Sequence, residues 1–348
     1  MRSRMSAVAT ASADLPLHAG WSEEHEERAA LLSPREAGQV RLRPSVADPG
    51  QARDLSGRGE SPRLVLFPDS PALPAGDEDL RAADAIARAA AAALRGELDT
   101  YPKPGLVSPV DSGSHTDMDA GTFRASAAAI TPFFAALARA GAAGAAMPAL
   151  RRIGLDAETA MRAATGGVNT HRGAIFGLGL LCAAAGARPG AGPGALGRLV
   201  RERYGAAILD GPVLLHAPGA RARRRHGVGG APAEAAAGFP TLYQVGLPAL
   251  RRGRRWRPGD PQAARVEACL ALIAHLEDTC LLHRGGPEGY AFARTEAARF
   301  IAEGGVAQPD WRERATHLHR AFVARNLSPG GGADLLTMTL FVDGFEAP

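Results

Sequence analysis

From Asp77 onward, apolar residues recur every three or four positions, at Leu80, Ala83, Ile86, Ala87, Ala90 and Leu94. That spacing is the stripe which one face of an α-helix buries. No strand-like alternation competes with it elsewhere in the chain. Aromatic residues make up only 5% of the sequence, whereas sandwich and barrel cores lean on aromatic and β-branched side chains. An Ala/Leu-rich chain of this kind favours helix. Further helices are predicted at Thr122–Ala140 (interrupted by Pro132), Gly173–Ala185, Ala195–Arg203, Pro261–Asp278, Pro287–Ala302, Asp310–Ala324 and Ala333–Asp343. The expected fold is all-α, a single compact multi-helix domain over residues 76–348 with glycine-rich loops opening its helices.

Residues 1–75 mix Pro, Gly, Arg, Glu and Ser without sustained periodicity, apart from a short apolar patch at Leu64–Phe67. Such composition buries too little surface to offset ordering entropy, so a disordered extension is expected there. Lys103 is the one lysine, which leaves 39 of the 40 cationic residues as arginine and a net charge of +4. The surplus is mild, and a chain-wide arginine bias argues little for nucleic acid. Two arginine-dense stretches, Arg221–Arg225 and Arg251–Arg257, read as solvated loops that could also serve a phosphate-rich small ligand. Cys182, Cys269 and Cys280 are odd in number and lack CxxC spacing, which points to a reducing compartment and away from zinc or disulfides. The longest apolar run, Gly173–Gly186, is shorter than the ~20 residues of a membrane span. The N-terminus lacks the unbroken apolar core of a signal peptide. A cytoplasmic protein with no membrane partner is expected.

Four polar, glycine-rich segments interrupt the helical pattern, and each precedes or opens a helix. The first runs from Glu97 through Tyr101-Pro102-Lys103-Pro104-Gly105 and Gly113-Ser114-His115-Thr116-Asp117-Met118-Asp119. The second is Thr165-Gly166-Gly167-Val168-Asn169-Thr170-His171-Arg172-Gly173. The third is Glu277-Asp278-Thr279-Cys280-Leu281-Leu282-His283-Arg284-Gly285-Gly286, and the fourth Asn326-Leu327-Ser328-Pro329-Gly330-Gly331-Gly332-Ala333-Asp334. Glycines allow close backbone approach, and the free amides at a helix start attract anions, so such junctions suit phosphate; each also has the composition of an ordinary capped turn. What sets them apart is that His115, His171, His283, Lys103, Arg172 and Arg284 all fall inside them. Lys103, between two prolines on a stiff loop, offers a point charge suited to phosphate. Asp117 and Asp119 could hold one hard cation such as Mg²⁺, with Glu97, Asp278 or Asp334 as further oxygen ligands, or could simply cap a helix.

With these motifs laid out, residues 80–342 resemble the triphosphoribosyl-dephospho-CoA synthases. The resemblance rests on Thr100 with Pro102-Lys103-Pro104-Gly105-Leu106-Val107, Gly113 to Asp119, Thr165 to Gly173, Asp278-Thr279 with His283-Arg284-Gly285-Gly286, and Asn326 to Gly331 with Ala333-Asp334-Leu335-Leu336. Tyr101 departs from the pattern as an extra residue before Pro-Lys-Pro-Gly. The resemblance implies transfer of the 5-triphosphoribosyl group of ATP to the 2′-hydroxyl of 3′-dephospho-CoA with release of adenine. It implies ATP as substrate, Mg²⁺, and a functional link to an acyl carrier protein of malonate decarboxylase or citrate lyase and its phosphoribosyl-dephospho-CoA transferase. Cleaving an N-glycosidic bond builds oxocarbenium character, which calls for a carboxylate, an acid for the purine and a base for the hydroxyl. Asp278 is assigned to the carboxylate, His115 or His171 to proton transfer, and Asp117 and Asp119 to Mg²⁺. Lys103, Gly105, Gly166, Gly167, Asn169, Arg172, His283, Arg284, Gly285, Gly286, Ser328, Gly330 and Gly331 are assigned to binding the phosphates. A Mg²⁺-dependent ADP-ribosyl or nucleotide hydrolase, and a non-enzymatic nucleic-acid or carrier-protein binding module, remain rival readings.

Overall fold

The computed structural model describes residues 77–213 and 216–346, so the expectation for residues 1–75 lies outside the described residues. The described residues form α-helices and no strand. In order they are α1 (Asp77–Leu98), α2 (Ala120–Ala142), α3 (Met147–Ala164), α4 (Arg172–Ala187), α5 (Ala195–Leu209), α6 (Pro218–His226), α7 (Gly230–Ala236), α8 (Leu247–Trp256), α9 (Pro261–His275), α10 (Thr279–Ala302), α11 (Trp311–Ala324) and α12 (Gly330–Phe345). A π-helical turn, Leu242–Gly246, leads into α8, and a 3₁₀ turn, Gly305–Ala307, precedes α11.

Helices α4 and α9 are apolar nearly all round and buried along almost their whole length, which makes them the centre of the domain. Around them, α2 packs on α1, α3 and α4, α8 and α10 on α9, and α12 on α1, α4 and α9. Small residues set the closest approach. A Cβ added to Gly141 would collide with the carbonyl of Ala183, and one added to Gly186 with the carbonyl of Ala138, so α2 and α4 touch backbone to backbone. This explains why few aromatics suffice: alanine and glycine let the helix axes close up, and dispersion contacts replace bulk. Helix α2 is the one described helix long and apolar enough to cross a membrane by length and composition. Its Ile130, Phe134, Leu137 and Ala138 are buried in the domain instead.

The predicted helices all exist, with shifted ends. Helix α9 stops at His275 rather than at Asp278, because Asp278 is the N-cap of α10. Pro132 lies inside α2 without ending it. Helices α3 and α7 add to those read from periodicity. The two arginine-dense stretches correct the expectation of loops: Arg221–Arg225 lie on α6 and Arg251–Arg255 on α8, each begun by a proline in its first turn. The third glycine-rich segment is likewise helical. His283, Arg284 and Gly285 lie on α10, and the break comes at Gly286, whose φ of 62° precedes Pro287.

Candidate active site

A cavity of about 230 Å³ opens where the four glycine-rich segments meet. Glu97 and His115 enter it from the first segment, Asn169, His171 and Arg172 from the second, Cys280, His283 and Arg284 from the third, and Ser328, Gly330 and Asp334 from the fourth. Pro218 and Gly219, at the start of α6, complete part of the wall.

Arg284 ties three of the segments together. Its guanidinium donates to the Ser114 carbonyl at 2.8 Å and to the Asn326 carbonyl and side chain at 3.2 Å each. Ser114 Oγ donates to the Leu327 carbonyl at 2.7 Å, and His115 Nε2 lies 2.9 Å from Ser328 Oγ. Gly105, at φ 66°, lies so close to the Leu327 carbonyl that any Cβ would clash with it. Its role is close backbone packing between the first and fourth segments.

Lys103 does not reach the cavity wall. It is 1% exposed, and its Nζ donates to the Glu97 carboxylate at 2.5 Å and to the Glu97 carbonyl at 2.8 Å. The loop that carries it includes a cis Tyr101–Pro102 peptide, and its own carbonyl accepts from His319 Nδ1 at 2.6 Å. Glu97, itself 3% exposed, lines the cavity. Burial pushes its carboxyl up, the Lys103 ammonium pulls it back, and Asp99 pushes it up again.

Asp334 is the second carboxyl of the cavity and, among the described residues, forms no ion pair. It sits over the start of α4, where the Ala174 N–H faces it and Gly173 leaves room that any Cβ would fill. Burial, then the charges of Asp278 and Glu97, push its carboxyl well above the usual range. Asp278 stands behind the wall. Its Oδ1 accepts from the Cys280 and Leu281 N–H groups at 2.8 and 3.2 Å, and its Oδ2 from the Gly332 N–H at 2.9 Å. One carboxylate thus caps α10 and clamps the start of α12, while burial pushes it above its ordinary value.

His171 lines the cavity and is 4% exposed. Its Nδ1 lies 2.6 Å from Ser126 Oγ, which accepts from Thr170 Oγ1 at 2.7 Å, and the ring packs edge-on against Phe123. Burial, with the Lys103 charge, lowers its pKa to about 4, so the ring is neutral near pH 7. His115 is also held below its ordinary value, by burial and by Arg284, with Asp117 acting in the other direction. Arg172 pairs with Glu158 at 3.2 Å.

The remaining assigned residues fall outside the cavity. Asp119 is the N-cap of α2, its Oδ1 accepting from the Thr122 N–H at 2.8 Å and from Thr122 Oγ1 at 2.9 Å. Asp117 carries an exposed carboxylate 3.5 Å from His115 Nδ1. Among the described residues no three His, Cys, Asp or Glu side chains stand where they could hold one metal ion. Asp117 and Asp119 belong to no such group of three, and Asp119 is occupied as a helix cap. Gly166 and Gly167 shape an exposed turn at φ 63° and 94°, while Gly285, Gly286 and Gly331 pack or bend the helix starts of the third and fourth segments. Sequence reasoning weighed Glu97 and Asp334 only as spare metal ligands and missed the cavity roles of Thr170, Cys280 and Gly219. The signal for Glu97 was six residues from Lys103, since a buried lysine needs a buried carboxylate.

Fold and site define an all-α domain with a cavity closed by helix starts, its wall bearing two carboxyls with imidazole and guanidinium groups. The family model for ATP:dephospho-CoA triphosphoribosyl transferase matches residues 83–210 and 214–348. A relative from Stutzerimonas stutzeri named "Probable 2-(5''-triphosphoribosyl)-3'-dephosphocoenzyme-A synthase" is 43% identical over 270 residues, 75% of this chain and 92% of the relative. One of the same name from Pseudomonas putida is 41% identical over 281 residues, 78% of this chain and 98% of the relative. No solved structure matches the chain. The chain belongs to the ATP:dephospho-CoA triphosphoribosyl transferase family, and it is a transferase.

Proposed function

We propose that the chain transfers the 5-triphosphoribosyl group of ATP to the 2′-hydroxyl of 3′-dephospho-CoA and releases adenine, with the cavity between Glu97 and Asp334 as the site of chemistry. The observation that carries this reading is the convergence of all four glycine-rich segments on that one cavity. The bond from the ribose anomeric carbon to adenine N9 breaks, and a bond from that carbon to the acceptor 2′-oxygen forms. The hydroxyl proton leaves to a base, and the departing purine takes a proton from an acid.

Two carboxyls, both raised by burial but only Glu97 with an ammonium bonded to it, supply such a pair. Burial raises Glu97, but the Lys103 ammonium bonded to it favours its anion, which faces the positive charge that builds on the ribose. Asp334 forms no ion pair among the described residues and has two anionic neighbours, holds its proton, and donates it to adenine. His171, neutral and with Nδ1 engaged by Ser126, orients one reacting group through Nε2. Arg172, Arg284, His283 and the amides of Asn169 and Gly330 take the phosphates, whose binding energy positions the reacting carbon from a distance. Magnesium enters with the triphosphate as part of the substrate. The product's destination is the carrier subunit of malonate decarboxylase, with that of citrate lyase as the alternative; the mass shift of each apo-carrier, given the product and its transferase, decides between them.

Product analysis tests the transfer. Adenine released only when 3′-dephospho-CoA is present, together with the mass of the triphosphoribosyl adduct, supports it. Adenine or ADP-ribose formed without acceptor supports a hydrolase instead, and no turnover supports a binding module. The pH profile of kcat should be bell-shaped, falling at low pH as Glu97 protonates and at high pH as Asp334 loses its proton.

A further inference from the structure

The cavity holds about 230 Å³, below the ~300–1,000 Å³ of ordinary ligand pockets, yet the proposed reaction brings two nucleotides together. Part of one of them must lie outside, across the rim. The rim at Pro218 and Gly219 is the beginning of α6. Residues three and four apart share a helix face, so the row through Pro218 continues to Arg221 and Arg225, and the row through Gly219 to Arg223 and His226. Arg221 and Arg225 are exposed, and no carboxylate of the described residues pairs with Arg221, Arg223 or Arg225. The stem of Arg223 and the cavity-lining Thr279 both pack against Gly230, where a Cβ would meet them. The second arginine-dense helix behaves differently. On α8, Arg254 pairs with Asp343 at 2.6 Å and Arg252 with Glu267 at 2.7 Å, so its charge is already answered within the domain.

Resting on the reading that ATP and 3′-dephospho-CoA meet in the cavity, we infer that Arg221 and Arg225, neighbours on one face of α6, bind the diphosphate of the 3′-dephospho-CoA acceptor, outside the cavity that takes its ribose. The cavity already has Arg172 and Arg284 for the triphosphate of the donor, which enters with the reacting ribose. The acceptor reacts at its own ribose, and its diphosphate hangs from the 5′-carbon, so it emerges at the rim with a pantetheine arm beyond it. The two planar guanidinium groups of Arg221 and Arg225, one helical turn apart, match two adjacent phosphates, and exposed side chains can close on them without prior desolvation.

The test uses the full chain with Arg221→Ala/Arg225→Ala against ATP with 3′-dephospho-CoA or with AMP as acceptor. AMP offers the same 2′-hydroxyl without the diphosphate linkage. The double variant should raise KM for 3′-dephospho-CoA about tenfold, as expected for two rim-exposed charged contacts, while KM for ATP moves less than twofold. The gap between wild type and variant should close when AMP is the acceptor, and double Arg→Lys replacement should recover part of the loss. An equal rise in KM for ATP, or an unchanged KM for 3′-dephospho-CoA in a wild-type enzyme that turns over, overturns the inference and leaves the proposed reaction standing. Salt-sensitive binding of an oligonucleotide, lost in the variant, with no effect on acceptor KM, overturns it in favour of a nucleic-acid surface. Absence of wild-type transfer overturns both.

Discussion

Replacing Lys103 by alanine leaves the Glu97 carboxylate, 3% exposed, without the ammonium that stands 2.5 Å from it. Breaking a buried ion pair by removing one member costs about 3–5 kcal/mol, because the other charge stays buried and unpaired. For a domain of this size each kcal/mol lowers the melting temperature by roughly 2–4 °C, so the variant should melt about 6–20 °C below wild type. Glu97 escapes part of that penalty by taking up a proton. Lys103 supplies both its charge and its hydrogen bond to hold the Glu97 carboxyl down, so without it the carboxyl rises further and the acid limb of the pH–rate profile moves to higher pH. Activity at pH 7 should therefore fall steeply and return in part as pH rises. The double variant Lys103→Met/Glu97→Gln removes both charges together and should regain stability over the single variant while staying inactive. Calorimetry and adenine release, measured from pH 6 to 9, read both effects. A Lys103→Ala enzyme melting within 2 °C of wild type, or a loss of activity with no pH dependence, would refute the coupling.

Three further outcomes follow from the site. Asp278→Ala removes the caps of α10 and α12 and should lower stability by about 1–4 kcal/mol, two helix starts at about 0.5–2 each; collapse of kcat with an unchanged melting temperature would instead place Asp278 at the reacting carbon. His171 binds its proton near pH 4 in the folded state against 6.5 when unfolded, so the folded state takes up fewer protons between those values. Stability should decline as pH falls from 6.5 to 4, by up to about 3 kcal/mol, and His171→Asn should flatten that decline in denaturant titrations. Of the three cysteines only Cys280 is exposed, and it opens onto the cavity. Although Cys280 reaches solvent through the cavity, its enclosure by the cavity wall and then the charges of Asp278 and Asp334 push its thiol up, so iodoacetamide should modify it slowly, faster at alkaline pH, with loss of activity that ATP prevents; modification that leaves activity intact would count against the cavity.

The helical class was legible because Leu80 to Leu94 repeat with a helix period, and the site was legible as four segments because glycine, histidine and arginine cluster there against an Ala/Leu background. What sequence order could not carry was direction. Lys103 looked like a ligand-facing charge on a stiff loop, but the loop folds back and seats it on Glu97, six residues earlier. Asp278 looked like the reactive carboxylate, yet a helix start needs acceptors for its free N–H groups, and Asp278 satisfies two starts at once. Asp119, three residues before Thr122, met the same need for α2. Arg221–Arg225 read as a loop because dense charge breaks the apolar stripe, and α6 forms there with Ala220 and Ala222 alone buried. Glu97 and Asp334, which stand in the cavity, come from the end of α1 and the second turn of α12, 237 positions apart in the chain, and only the packing of α1 against α12 brings them to one wall.

The most direct test is a crystal structure of the Glu97→Gln variant, which keeps the side-chain shape and slows the chemistry, with ATP and 3′-dephospho-CoA bound. The account predicts the ATP ribose between residues 97 and 334, its triphosphate toward Arg172 and Arg284, and the acceptor diphosphate over α6. Either nucleotide bound away from this cavity, or an ATP ribose turned from both carboxyls, would contradict it.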